Sequence, residues 1–206
     1  MPILVLSGYQ DLFTVAGVVK KTYYSDIHRG QGAAAYGAAE PIRQVLGLDA
    51  VALNIRDELN ELGLKRKMAA HMTRCFFDRW VEGVSFVQHE KQTIVFGATQ
   101  LDDDLWVSAV GPAAKLDQYI ATLPRPRRRS FFVDLHDIIA DIRARGEKAG
   151  LDMRSRPFFF PPDHPQMIET KKYWEAWRKE NEVEGDRPPK LSQIHRKAVE
   201  NLVAMQ

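Results

Sequence analysis

At 206 residues, with 45% hydrophobic and 27% charged residues, the chain has enough apolar material to bury a core, and its composition is neither collagen-like nor that of a disordered chain. A net charge of +2 is too small to announce a general polyanion binder, and a single cysteine, Cys75, excludes an internal disulfide and any multi-cysteine metal site. No apolar run approaches the ~18 residues of a membrane helix, and the opening Met-Pro-Ile-Leu-Val-Leu-Ser-Gly lacks the basic flank of a secretion signal, so the expectation is a cytoplasmic protein with no membrane insertion, no cofactor and no metal.

In chain order, residues 3–6 and 14–19 are short β-branched or leucine-rich runs with strand character. Gly30, Gly32 and Gly37, with Ala33 to Ala35 among them, make the next segment a loop. Glycines let backbone N–H groups approach an anion, and Arg29 adds charge, so this loop invites a phosphate reading. It lacks the fingerprint: Ala35 stands where a dinucleotide loop has glycine, and there is no Gly-Lys-Ser/Thr. From Asp49, read as an N-cap, Val51, Ile55, Leu59 and Leu62 form one helical stripe over about 50–62 that Gly63 ends. A second helix over about 65–82 carries Met68, Met72, Phe76 and Trp80 at four-residue spacing and stops at Gly83.

The period then changes, and 85–87, 93–96 and 105–110 read as three short strands of an antiparallel meander. Pro112 suits a first helical position, with Leu116, Tyr119, Ile120 and Leu123 as the apolar face. Pro-Arg-Pro-Arg-Arg-Arg at 124–129 is stiff and self-repelling, which marks a linker. It also divides the charge: 12 Lys/Arg and 14 Asp/Glu lie in 1–123, and 17 and 13 lie in 124–206, or −2 and +4. Beyond it come helices ending near Gly146, at about 166–182 and at about 190–204, with a proline-rich stretch at 151–165 in which Phe158, Phe159 and Phe160 are too apolar to be left in water. The expected class is α+β: a helix pair followed by a small antiparallel meander, with a mostly helical C-terminal extension. The expected organisation is a globular domain at 1–123, a linker at 124–129 and a helical region at 130–206.

No complete catalytic motif is present, so enzyme activity is uncertain and disfavoured. His136 has Asp134 and Asp137 as neighbours, yet adjacent helix positions diverge, and a solvated helix face accounts for all three. Cys75 sits beside Phe76 and Phe77, which suggests a small core residue. The basic groups Lys65, Arg66, Lys67, Arg74 and Arg79 lie on or near a helix that follows a tight turn, a layout that presents cations to a phosphate backbone. Tyr173, Trp174, Trp177 and Arg178 form an aromatic and basic helix able to anchor a protein interface, with Trp174 and Trp177 on one face.

Leu53-Asn54-Ile55-Arg56-Asp57-Glu58-Leu59, then Lys65-Arg66-Lys67 and Thr73-Arg74, then Phe76, Phe77, Trp80 and Gly83, resemble the middle of the ProQ/FinO family of bacterial RNA chaperones over about residues 42–90. Asp26-Ile27-His28-Arg29 is similar to the His-Arg pair of the ParB/sulfiredoxin fold, with Ile27 in place of that motif's glycine. Both families include plasmid fertility inhibition factors. The resemblances imply a non-enzymatic plasmid or mobile-element accessory protein that binds RNA or a component of the conjugation machinery. Two alternatives accompany it: an inhibitor of the conjugative coupling ATPase acting through the aromatic C-terminal helices, and a nuclease or ATPase built on His28 and Arg29.

Overall fold

A computed structural model describes residues 4–31, 45–89, 92–102, 105–123, 129–153, 156–181 and 189–205. The glycine-rich segment from Gly32 onward and most of the Pro-Arg stretch, 124–128, lie outside the described residues. The fold is α+β, with a three-stranded antiparallel sheet among helices and a helical C-terminal part.

Strand β1 (Val5–Leu6) pairs antiparallel with β2 (Val45–Leu46). Between them run α1 (Tyr9–Ala16) and α2 (Lys20–His28). The strand expected over 14–19 is therefore the end of a helix and its exit. Leu12, Phe13, Val15 and Ala16 are buried at helical spacing, and Gly17 closes the helix in the left-handed conformation. Helix α3 (Gly47–Glu61) begins three residues before the expected start. Asp49 is not its N-cap; from inside the first turn its carboxylate accepts the Leu46 N–H at 2.8 Å. Gly63 ends the run as expected, with φ of 99°.

The single helix expected over 65–82 is two: α4 (Arg66–Cys75) and α5 (Phe77–His89), broken at Phe76. The joint is pinned where the Trp80 indole donates to the Thr73 carbonyl at 2.8 Å. Gly83 does not stop the helix. It lets α5 lie close on its neighbours, because a Cβ there would collide with Val110 and Leu135. The strand expected at 85–87 is accordingly helical.

Strands β3 (Ile94–Gln100) and β4 (Trp106–Pro112) form a hairpin in the register Gly97↔Ala109, and Pro112 ends β4 as the N-cap of a short 3-10 turn, Ala113–Lys115, one place before the first helical position expected of it. After α6 (Leu116–Thr122) the chain crosses to the other edge of β3 as β5 (Arg129–Asp134), in the register Gly97↔Phe132. The order is β4-β3-β5, with β3 central and buried along six of its seven residues. Asp134 then caps α7 (Leu135–Lys148) by accepting the His136 and Asp137 N–H groups. Arg145 of α7 donates to the Val15 carbonyl and to Asn54 Oδ1, both at 2.7 Å, and so joins α1, α3 and α7.

Because β5 completes the sheet begun by β3 and β4, the chain does not divide at 124–129. The two compact units are Met1–Phe158 and Phe159–Gln206. In the first, Phe158 is buried, with its N–H on Gln88 Oε1 at 2.7 Å and the Arg143 guanidinium 5.4 Å from its ring centre. The second pairs α8 (Pro165–Glu180) with α9 (Leu191–Ala204). Phe159 stacks on the fully buried His195 at 4.0 Å, and Phe160 stacks on His164 at 4.2 Å.

Candidate nucleic-acid interface

Helix α2 has two chemically distinct faces. Tyr23 and Asp26, one turn apart, are buried, while Lys20, Lys21, Tyr24, Ile27 and His28 are exposed and exposed Arg29 follows at the C-cap. Asp26 is the one carboxylate of α2, and α4 carries none.

That carboxylate is held by two arginines. Arg66 of α4 grips it with a forked pair, Nε to Oδ1 at 3.0 Å and Nη2 to Oδ2 at 2.7 Å. Arg56 of α3, fully buried, donates Nη1 to Oδ2 at 3.0 Å and Nε to Asp57 Oδ1 at 2.8 Å. A guanidinium in the interior is tolerable only when paired and hydrogen-bonded in this way. Donating to Asp26 also holds Arg66 more firmly in its charged form. The network thus seats α4 against α2 through the buried side of α2, and it neutralises the only negative charge the two helices possess.

What remains outward is cationic. Segments 20–31 and 64–76 together hold seven Lys/Arg and one Asp, the buried one, in a chain whose total is only +2. Elsewhere the sign reverses. On α3, partial burial raises the Glu58 carboxyl, and repulsion from Glu61, Asp141, Asp137 and Asp57 raises it further, which places carboxylates of α3 and α7 within reach of one another.

The five expected cations do not form one set. Lys65 and Lys67 are exposed at the start of α4 and Arg74 is exposed in its last turn. Arg66 is the structural clamp. Arg79 lies on α5, 3.4 Å from Glu82 of the same helix. The structure adds Lys20, Lys21 and Arg29, for which the sequence carried a signal: two lysines three and four residues before Tyr24, and His28 four after it, share one helical face.

Tyr24 belongs to an aromatic cluster with Tyr9, Phe13 and Tyr23. Its ring stands perpendicular to Tyr23, with centroids 5.5 Å apart, and to Phe13 at 6.1 Å, yet the residue is 46% exposed. Burial drives the Tyr23 hydroxyl well above the usual phenol range.

The aromatics of α8 form a second group. Tyr173, Trp174 and Trp177 meet edge to face, with centroids 5.9 and 5.7 Å apart. Tyr173 and Trp177 are about half exposed, whereas Trp174 and Arg178 are partly covered and the Trp174 Nε1 is buried without a hydrogen-bond partner among the described residues. The two tryptophans therefore occupy different environments despite their spacing.

Three smaller expectations resolve differently from one another. Cys75 is not a core residue: α4 turns it outward, with Sγ 3.3 Å from His71 Nε2. His136 is more than a solvated side chain, since its Nδ1 accepts the Ile94 N–H at 3.1 Å and ties α7 to the first residue of β3. His28 and Arg29 stand at the end of α2 rather than at a helix start. Among the described residues no three His, Cys, Asp or Glu side chains converge as a metal set, and no helix is long and apolar enough to cross a membrane. No family model matches the chain, and neither does any curated protein sequence.

Proposed function

We propose that the protein binds nucleic acid, RNA foremost, through the basic surfaces of α2 and α4, as a non-enzymatic cytoplasmic accessory factor of the fertility-inhibition kind. One observation carries this reading: the sole carboxylate on the two helices is buried under two arginines, so Lys20, Lys21, Arg29, Lys65 and Lys67 face solvent without an acid on their own helices to offset them. Phosphate attraction through such a surface is favourable at modest net charge because the field is local. A catalytic role for His28 and Arg29 has less support, since Asp26, the carboxylate nearest to them in sequence, is already bound by Arg56 and Arg66.

The test is binding of a labelled RNA across a salt series. Lys65→Ala with Lys67→Ala, leaving Arg66 in place to preserve the clamp, is expected to weaken binding and to reduce the slope of log affinity against log salt by about 0.7 to 0.9 for each phosphate that is no longer neutralised. No binding by the parent protein at ~50 mM salt, where even non-specific binders register, would overturn the reading.

A second reading is favoured by the exposure of Tyr173 and Trp177, at 50% and 40%: α8 as an anchor for a protein of the conjugation machinery, such as the coupling ATPase. Trp177→Ala is then expected to abolish capture of that partner without lowering the melting temperature. Unimpaired capture by this variant would remove α8 from consideration.

A further inference from the structure

We infer that the nucleic acid bound at α2 is unpaired, and that Tyr24 is the platform on which one of its bases stacks. This rests on the nucleic-acid reading above and names the substrate class of the same surface.

A tyrosine in water is usually a mobile side chain, and holding it still costs rotamer entropy. Tyr24 is held already. Tyr23 and Phe13 contact it at interplanar angles of 81° and 77°, and they are themselves locked together at 5.1 Å and to Tyr9 at 5.9 and 6.2 Å. Tyr23 and Phe13 are buried, so the support is part of the core, while nearly half of Tyr24 stays open. An outer member of an aromatic cluster can simply cap it, and that explanation accounts for the packing. It does not account for the company Tyr24 keeps on its helix. Lys20 and Lys21 lie one turn before it and His28 one turn after it, all exposed, with no acid on that face. One turn is about 5.4 Å of helix axis, so a flat apolar surface is flanked at close range by two ammonium groups on one side and an imidazole on the other.

That alternation suits a strand whose bases are free to turn outward. In a duplex each base already has neighbours on both faces, so stacking on a side chain requires opening the helix. An unpaired base presents a bare π-face to an aromatic ring while its phosphates reach the flanking cations. Ribose and deoxyribose strands share this chemistry.

The experiment uses the full chain and fluorescence anisotropy with four probes of about a dozen nucleotides: oligo-U, oligo-dT, an abasic strand with the same phosphates, and a duplex. Tyr24→Ala is expected to weaken oligo-U and oligo-dT binding about tenfold and to leave the duplex nearly unchanged, while Tyr24→Phe binds like the parent. The abasic strand should bind the parent as weakly as oligo-dT binds Tyr24→Ala. Because this arm needs no variant, it decides the matter even if Tyr24→Ala were to unfold. A preference of oligo-dT over oligo-U, or the reverse, would report which sugar the surface favours and supports stacking either way. Equal binding of abasic and base-bearing strands, with Lys20→Ala and Lys21→Ala still weakening both, would overturn stacking and leave the electrostatic reading standing. No binding of any probe would overturn both.

Discussion

Replacing Asp26 with asparagine keeps the shape of the clamp and removes its charge, which makes it the most informative single change in the molecule. The Asp26 side chain is 5% exposed and the Arg56 side chain is 0% exposed, so the variant leaves a buried guanidinium facing an amide that cannot offset it. Breaking a buried ion pair from one side costs about 3–5 kcal/mol. Asp57 still accepts from Arg56 at 2.8 Å, which places the expected loss at the lower end, about 3 kcal/mol. Arg66 sits in the same network but is 31% exposed, and solvent screens it. Arg66→Ala is therefore expected to cost no more than about 1 kcal/mol. Urea unfolding followed by near-ultraviolet circular dichroism reads both changes. With a slope of about 2 kcal/mol per molar, Asp26→Asn should lower the midpoint by about 1.5 M and Arg66→Ala by about 0.5 M or less. An Asp26→Asn protein as stable as the parent, or an Arg66→Ala protein as damaged as Asp26→Asn, would refute the claim that a buried Arg56–Asp26 pair organises α2, α3 and α4.

Burial lowers the His195 pKa to about 3, with a smaller push from His164. The folded protein thus refuses a proton that the unfolded chain accepts below about 6.5, so this contribution is complete above pH ~6.5 and drains at up to about 1.4 kcal/mol per pH unit as the pH falls towards 3. Against His195→Phe the parent should lose stability more steeply between about pH 6.5 and 4.5, and parallel profiles would contradict a buried neutral imidazole. Gly83→Ala pits a helix-propensity gain of at most about 1 kcal/mol against overpacking into Val110 and Leu135 at about 1–3 kcal/mol, so a net loss is expected in thermal melts and a gain would show that α5 has room to move. Cys75 should react with a water-soluble disulfide reagent in the native protein as fast as in urea, and a rate limited by unfolding would mean that α4 is rotated from the position described.

Local pattern is what the sequence by itself determined. The 3.6-residue stripes of α3, α7 and α9 and the short apolar runs of β3 and β4 place those elements within a few residues, because a helix that buries one face must repeat its apolar positions at its own period and a short strand buried in a sheet reads as a brief apolar run. The α+β class follows from those elements. Where two periods compete over a short run, tertiary packing decided. Ser85 to Val87 have strand-like composition, but α5 continues through them because Trp80, Val81 and Val84 are buried on its inner face, and Gly83, a stop signal by itself, proves to be a point of close approach. β5 did carry a signal, with Phe131 and Val133 buried at alternate positions, but the preceding prolines and arginines drew the boundary there, and only pairing with a strand some 30 residues earlier reveals it as part of the same sheet. The candidate site divides in the same way. Lys65 and Lys67 are legible as basic helix residues from sequence, whereas the helix that carries Lys20 and Lys21 was not expected there. That Arg66 is a clamp and not a contact residue depends on Asp26, 40 positions away, and on a buried Arg56 between them. Charge in a sequence has no partner until the fold supplies one, since attraction between side chains acts over a few ångströms of space and not along the chain.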